Sequence, residues 1–201
     1  MSEKNIEESG KLKEEEKKEE EIIPFIRGDT LDLIPRNMDH IHLYFKWIND
    51  QDVRVFSRNE APTTKEDIKK WFERPSHEGT PEHIGFELYH KQDKRVIGNG
   101  GLSRIDYVVR KANIWMVIGE KDYWGKGLAT EAAKLILEYA FKEVNLNKVY
   151  AGIFEPNVGS WSCAEKVGFT LEGKIKKEIY VNGKYHDIKK YAYFQDDWLK
   201  K

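Results

Sequence analysis

Polar and apolar residues are unevenly distributed along the chain. Residues 1–21 are almost entirely Glu, Lys, Ser, Asn and Gly, with Ile6 and Leu12 as isolated apolar positions. Such a stretch cannot bury enough surface to offset the entropy of ordering it, and it reads as a charged, disordered tail. Patterned hydrophobicity begins near Ile22 to Phe25, so one folded domain is expected over 22–201. Leu31 and Leu33 alternate with polar neighbours and predict a strand. After Asn37 the period lengthens. Ile41, Tyr44, Phe45 and Ile48 form a helical stripe, with Asp39 placed to cap it. The segment from Asp50 to Pro62 has no clear period and reads as loop or short helix. Thr64 and Asp67, followed by Ile68, Trp71 and Phe72, mark a second helix.

The middle of the chain favours strands. Ile84 to Tyr89, Arg95 to Ile105 and Ala112 to Ile118 each carry strand patterning, with polar connections between them. A glycine-flanked loop leads into a long helix, Leu128 to Val144, whose apolar face includes Leu128, Ala132, Leu135, Ile136 and Tyr139. A strand from Lys148 to Phe154, a helix from Asn157 to Val167 stopped by Gly168, and two strands, Phe169 to Tyr180 and Lys184 to Phe194, complete the order. The last two strands meet at Asn182-Gly183, a pair suited to the positive φ angles of a tight hairpin. The expected architecture is a mixed α/β sheet with helices on its faces.

Composition narrows the function. The 34 basic and 35 acidic side chains leave a net charge of −1, so neither nucleic acid nor an anionic membrane is an expected partner. No apolar run has the length of a membrane span, and the charged N-terminus lacks a secretory signal, which points to the cytoplasm. Cys163 is the single cysteine and reads as a small buried apolar residue. The six histidines lack metal-ligand spacing, so no metal is expected. The tryptophans Trp47, Trp71, Trp115, Trp161 and Trp198 read as core packing.

The candidate chemistry lies after the strand ending at Ile118, in Trp124-Gly125-Lys126-Gly127-Leu128-Ala129-Thr130. Gly125 and Gly127 let backbone N–H groups approach a ligand closely. The helix that follows begins with unpaired N–H groups and partial positive charge, an arrangement suited to a pyrophosphate, with Lys126 adding a cation at the rim. A plain strand-to-helix turn has the same two glycines. A nucleotide P-loop does not fit, because Gly127 stands where the metal-binding hydroxyl belongs. A dinucleotide fingerprint fails because residue 130 is Thr.

The run Tyr123-Trp-Gly-Lys-Gly-Leu-Ala-Thr-Glu-Ala132 resembles the coenzyme A pyrophosphate loop of the GNAT N-acetyltransferase superfamily. A second signature follows in Asn157-Val-Gly-Ser160 and Ala164-Glu-Lys-Val-Gly-Phe169. The stretches Phe169 to Gly173 and Tyr180 to Asp187 resemble the RimJ/RimL branch, the ribosomal-protein N-terminal acetyltransferases. The resemblance implies the acyl-CoA N-acyltransferase fold, a mixed sheet of about seven strands in which two parallel strands splay apart. Acetyl-CoA is then the co-substrate. Its pantetheine arm would pair with the backbone of Val117 and Ile118, its diphosphate would sit on residues 124–130, and Asn157 would contact it. Asn157 equally suits a helix N-cap. Self-association as a homodimer is left open.

Direct attack of an amine on a thioester needs a neutral amine, a stabilised oxyanion and a proton for the leaving thiolate. Many members of the superfamily supply the proton from a tyrosine, where this chain has Ala164. Ser160 falls where RimL-like sequences have a serine; it either hydrogen-bonds the sulfur or makes a local helix-start bond. Where related sequences often carry a Glu base, this chain has Asn113. Glu155 is the nearest replacement by position, with Glu178 and Asp187 further off. A weak base favours an α-amine, with a reference pKa of about 7.7–8.0, over a lysine amine at about 10.4. The expected acceptor is therefore a protein N-terminus, entering between Gln51–Arg58 (Phe56, Arg58) and the Tyr180–Asp187 hairpin (Tyr185, His186). Polyamine or aminoglycoside N-acetylation, and a catalytically weak acyl-CoA-binding module, are the alternatives.

Overall fold

The computed structural model describes residues 22–57, 61–73 and 80–200; the tail assigned to 1–21, together with Arg58 and His77, lies outside them. One sheet of eight strands forms the centre: β1 (Ile26–Arg27), β2 (Leu31–Pro35), β3 (His83–His90), β4 (Arg95–Asp106), β5 (Lys111–Ile118), β6 (Lys148–Phe154), β7 (Thr170–Val181) and β8 (Lys184–Phe194). Their order is β1-β2-β3-β4-β5-β6-β8-β7. All neighbours are antiparallel except β5 and β6, which run parallel. The strand count exceeds the expected seven because the two-residue β1 is too short to show a period.

Helices cover both faces. Helix α4 (Leu128–Lys142) and helix α5 (Val158–Val167) share one face with the main core. Ala132, Ala133, Ile136 and Leu137 pack there against Leu102, Ile114, Val149 and Tyr191. The other face carries α1 (Ile41–Asn49), the single turn α2 (Gln51–Arg54) and α3 (Lys65–Phe72), through Ile34, Trp47 and Val96 and through Ile41, Tyr44 and Ile68. A last turn, α6 (Gln195–Leu199), sets Trp198 against Phe141.

Local chemistry fixes several ends. Thr64 and Asp67 form a reciprocal capping box at α3. Gly168 closes α5 at φ 118°, and Asn182 and Gly183 turn the last hairpin at φ 50° and 78°. Three expectations are corrected. Asp39 does not cap α1; it sits in a 3₁₀ turn whose cap is Asn37, accepting from the Asp39 N–H. The inward stripe of α1 is Ile41, Tyr44 and Trp47, with Ile48 partly buried beside Ile41 and Ile68 as expected, whereas Phe45 is exposed. Trp71 is 47% exposed rather than core.

A buried carboxylate ties α1 to the sheet. Glu87 on β3 is fully buried and accepts from the Asn37 N–H, the Tyr44 hydroxyl and His40 Nδ1, the last at 2.6 Å. At the exit of β5, Gly119 lies against the Trp47 ring: a Cβ there would stand 2.1 Å from Trp47 Cδ2. Gly119→Ala is therefore expected to lower stability by about 1–3 kcal/mol through overpacking, read as a lower urea midpoint with an unchanged slope.

Candidate functional site

The defining feature of the site is where pairing stops. Strands β5 and β6 pair at Lys111 with Lys148, Ala112 with Val149 and Asn113 with Tyr150, and no further. Beyond these pairs β5 continues to Ile118 and β6 to Phe154, so the strands part and leave a wedge through the sheet. A cavity of about 830 Å³ fills it. It is lined on β5 by residues 114–118, on β6 by residues 151–154, by the start of α4 and by the first turns of α5, with Val53 and Phe56 across the other face.

The direction of the backbone in this wedge follows from one bond. Gly119 N–H donates to Ile97 O at 2.9 Å. With the antiparallel register of β4 and β5, this turns the amides and carbonyls of Trp115 and Val117 toward β4, and those of Met116 and Ile118 toward the gap. Met116 and Ile118 thus face the gap, whereas Val117, expected to pair with the pantetheine arm, lines the cavity but spends its main-chain groups inside the sheet. The Ile118 carbonyl already accepts from Trp124 Nε1 at 2.7 Å. That bond clips the glycine loop to the end of β5.

Gly125 and Gly127 have φ of 74° and 81°, and a Cβ at either would meet nothing within 4 Å. Their necessity is conformational, since side-chain-bearing residues rarely adopt this region. Gly127 is the N-cap of α4, and its carbonyl accepts from the Thr130 and Glu131 N–H groups. The N–H groups of Leu128 and Ala129 precede that first turn and project from the helix start, as an anion site requires. Thr130 donates through Oγ1 to Cys163 Sγ at 3.5 Å, joining α4 to α5. Burial pushes the Cys163 thiol up, against the Thr130 bond and the Lys166 charge, so it stays a thiol.

The segment entering the loop is held by charge. Glu120 is 7% exposed. It accepts from Lys46 Nζ at 2.8 and 2.9 Å and from Trp47 Nε1 at 2.8 Å, and it pairs with Arg95 at 2.9 Å. Lys121 bridges Asp50 and Asp52 at 3.0 and 2.8 Å. The Tyr123 hydroxyl donates to Asp93. Lys126 stands 5.2 Å from the Tyr123 ring centroid. The loop geometry is thus set by α1, α2 and the β3–β4 turn together.

Most of the residues singled out in the sequence meet at this cavity. Val117, Ile118, Trp124, Gly125, Gly127, Leu128, Ala129, Thr130, Asn157 and Ser160 all line it; Lys126 and Glu155 do not. Asn157 caps α5, its Oδ1 accepting from the Ser160 N–H at 3.2 Å, which leaves its Nδ2 as donor. Ala164 is 8% exposed beneath the cavity. Glu155 instead pairs with Lys174 at 3.0 Å, because its side chain turns toward β7. Asp187 is engaged by Lys176 and the Lys177 N–H, and the Lys176 bond holds its carboxyl low. The Tyr180–Asp187 hairpin contributes no lining residue among those described; it packs with Phe56 and Phe154 through Val181. Asn113 donates to Ser103 Oγ at 3.1 Å. Gly152 is a lining residue the sequence reading passed over, although a glycine inside a strand signals close approach of another group.

The comparisons with known proteins agree with this geometry. Residues 31–170 match the family described as acetyltransferase (GNAT) domain. The chain belongs to that family. Among curated relatives, the Bacillus subtilis protein named "Putative ribosomal N-acetyltransferase YdaF" is 36% identical over 114 residues, 57% of this chain and 62% of that protein. The spermidine N(1)-acetyltransferase of Escherichia coli (strain K12) is 37% identical over 98 residues, 49% of this chain and 52% of that protein. The matched stretches thus span less than two thirds of these two relatives. A crystal structure of spermidine N-acetyltransferase from Vibrio cholerae in complex with CoA and spermine aligns with a TM-score of 0.77 at 24% identity, over 86% of this chain and 99% of that one. This last likeness is one of fold.

Glu120 makes the site's scaffold pH-sensitive. Burial raises its carboxyl, but hydrogen bonds from Lys46 and Trp47 and the charges of Lys46 and Arg95 outweigh that and hold it below 4.5. A depressed carboxyl contributes stability that is complete above its unfolded value and is lost as pH falls through the folded one. Stability of the wild-type chain should therefore fall below about pH 5, and Glu120→Gln should flatten that fall, measured as urea midpoint against pH.

Proposed function

We propose that this protein transfers the acetyl group of acetyl-CoA to a primary amine, most suitably the N-terminal α-amine of a protein, in a ternary complex. The observation that carries the reading is the wedge between β5 and β6, running from the glycine loop to the far face of the sheet. The main-chain groups of Met116 and Ile118 that face it suit an extended amide-bearing arm. The N–H groups at the start of α4 suit a diphosphate. Lys166 is the lining cation among the described residues.

The amine nitrogen attacks the thioester carbonyl carbon, the C–S bond breaks, and a proton moves from nitrogen to the departing sulfur. Ser160 lines the cavity in the first turn of α5 and is assigned the hydrogen bond to that sulfur. Asn113 replaces a carboxylate on β5, and the lining carboxylate, Asp52, is paired with Lys121. Without a strong base the site works on amines that are neutral in useful proportion. An α-amine is neutral in roughly one molecule in ten at pH 7, whereas a lysine amine is neutral in roughly one in a few thousand. Alignment then supplies much of the rate.

Acetylation of a polyamine is the second reading, favoured by the Escherichia coli relative's name. The scarcity of unpaired carboxylate among the described lining residues weighs against a polycation. Ala164 and Asn113 would also suit a weak acyl-CoA-binding module.

Thiol release measured over a panel of peptides, polyamines and aminoglycosides tests these readings. Peptides with free N-termini are expected to react and the same peptides with blocked N-termini to be silent; turnover of spermidine alone would reject the N-terminal reading. Ser160→Ala should lower kcat about a hundredfold or more with CoA affinity unchanged. Gly125→Val and Gly127→Val should weaken CoA at least about tenfold in calorimetry, because neither position tolerates a branched residue at positive φ.

A further inference from the structure

On the α1–α3 face of the sheet, β8 brings Lys190 between two glycines. Its register partners are Gly152 on β6 and Gly173 on β7. The side chain leans to one of them. A Cβ at Gly152 would meet Lys190 Nζ at 3.2 Å and Cδ at 3.9 Å, whereas a Cβ at Gly173 would meet nothing within 4 Å. The ammonium therefore reaches over β6 toward the cavity, whose wall includes Gly152. Strand alternation puts it on the same face as Phe154, Ile188 and Phe56, which close that side of the wedge.

Four lysines of β6, β7 and β8 are committed. Lys148 pairs with Glu172, Lys174 with Glu155 and Lys176 with Asp187, at 2.6, 3.0 and 2.7 Å. Lys189, on the opposite face, stacks 3.8 Å over the Trp161 ring centroid. Lys190 is half-buried and has no carboxylate partner among the described residues. An ammonium lying over the lining residue Gly152, with no counter-charge among the described residues, attracts an anion and repels a second cation.

We propose that Lys190 selects the acceptor, by pairing with a carboxylate carried close to the reacting amine. The substrate class is an α-amine whose own molecule supplies that anion, chiefly a peptide beginning with or closely followed by Asp or Glu. This rests on the acetyl-transfer reading above and deepens it. The same ammonium lowers the proportion of charged amine beside it, which offsets the lack of a base, and it disfavours polyamines, whose remaining charges would face it. Glycine at 152 is what gives Lys190 room to cross the strand.

The test compares peptides identical except for Glu, Gln or Lys at the second position, together with free glutamate and spermidine, on the wild-type chain, Lys190→Gln and Lys190→Glu. Full-chain CoA affinity is measured alongside by calorimetry. The wild type should favour the Glu peptide over the Lys peptide in kcat/KM by about tenfold or more, falling as salt is raised. Lys190→Gln should erase that preference and Lys190→Glu should reverse it, with CoA affinity unchanged in both. Free glutamate reacting as well as the Glu peptide would identify the α-carboxylate as the sufficient anion; the Glu peptide reacting alone would identify the side chain, and either result supports the proposal. Equal rates on the three peptides, or a preference indifferent to residue 190, would overturn it while leaving acetyl transfer intact. Thiol release from no amine at all, with CoA still bound, would instead remove the acetyl-transfer reading itself. The peptide ratio in the wild type needs no variant, so a poorly folded substitution cannot shelter the idea.

Discussion

The structure depends on the early end of hydrogen bonding between the parallel strands β5 and β6. Three register pairs hold them together, and after Asn113 and Tyr150 their edges face a cavity. Unpaired main-chain groups inside a sheet are costly unless something satisfies them. The parted strands therefore make sense as half of an interface whose other half is an amide-bearing ligand. The surrounding elements keep the wedge from closing. Helix α4 starts at its mouth, α5 starts beside β6, and Val53 and Phe56 stand across the opposite face. Because β4 and β8 are paired along the outer sides of the two strands, the separation is built into a continuous sheet.

Rigidity of the glycine loop comes from outside the loop. The two glycines provide conformations and no contacts of their own. Glu120, Lys121, Tyr123 and Trp124 provide the contacts, to α1, β4, α2, the β3–β4 turn and the end of β5. Glu120 is the member whose loss would be felt most, since a buried carboxylate with three donors cannot lose one without leaving charge uncompensated. The side of the cavity away from the loop is built differently, with Gly152, Phe56 and Phe154 in its wall and Asp52 as a lining carboxylate.

Local chemistry was legible from the residues alone. The helix start at Thr64, the Asn182-Gly183 turn, the Asn157 cap and the Gly168 stop are all satisfied within a few residues. So was the order of the long elements, because strand and helix periods do not resemble each other. The failures share one cause. Phe45 against Trp47, Val117 against Met116, and the direction of the Glu155 side chain each turn on which neighbour lies across the sheet or under the helix. Helical spacing admits both 41-44-45-48 and 41-44-47-48, and nothing in the local pattern chooses between them.

The amino-acid sequence by itself determined the succession of elements, the turn and cap geometry, and the glycine-led start of α4, since these follow from short-range sterics and hydrogen bonding. Tertiary structure alone decided which β5 backbone groups face the gap, that Glu155 is spent on Lys174, and that Lys190 crosses Gly152 toward the cavity. Those outcomes depend on strand register, and register is set by contacts between residues far apart in the chain, where a shift of one position turns every side chain to the other face.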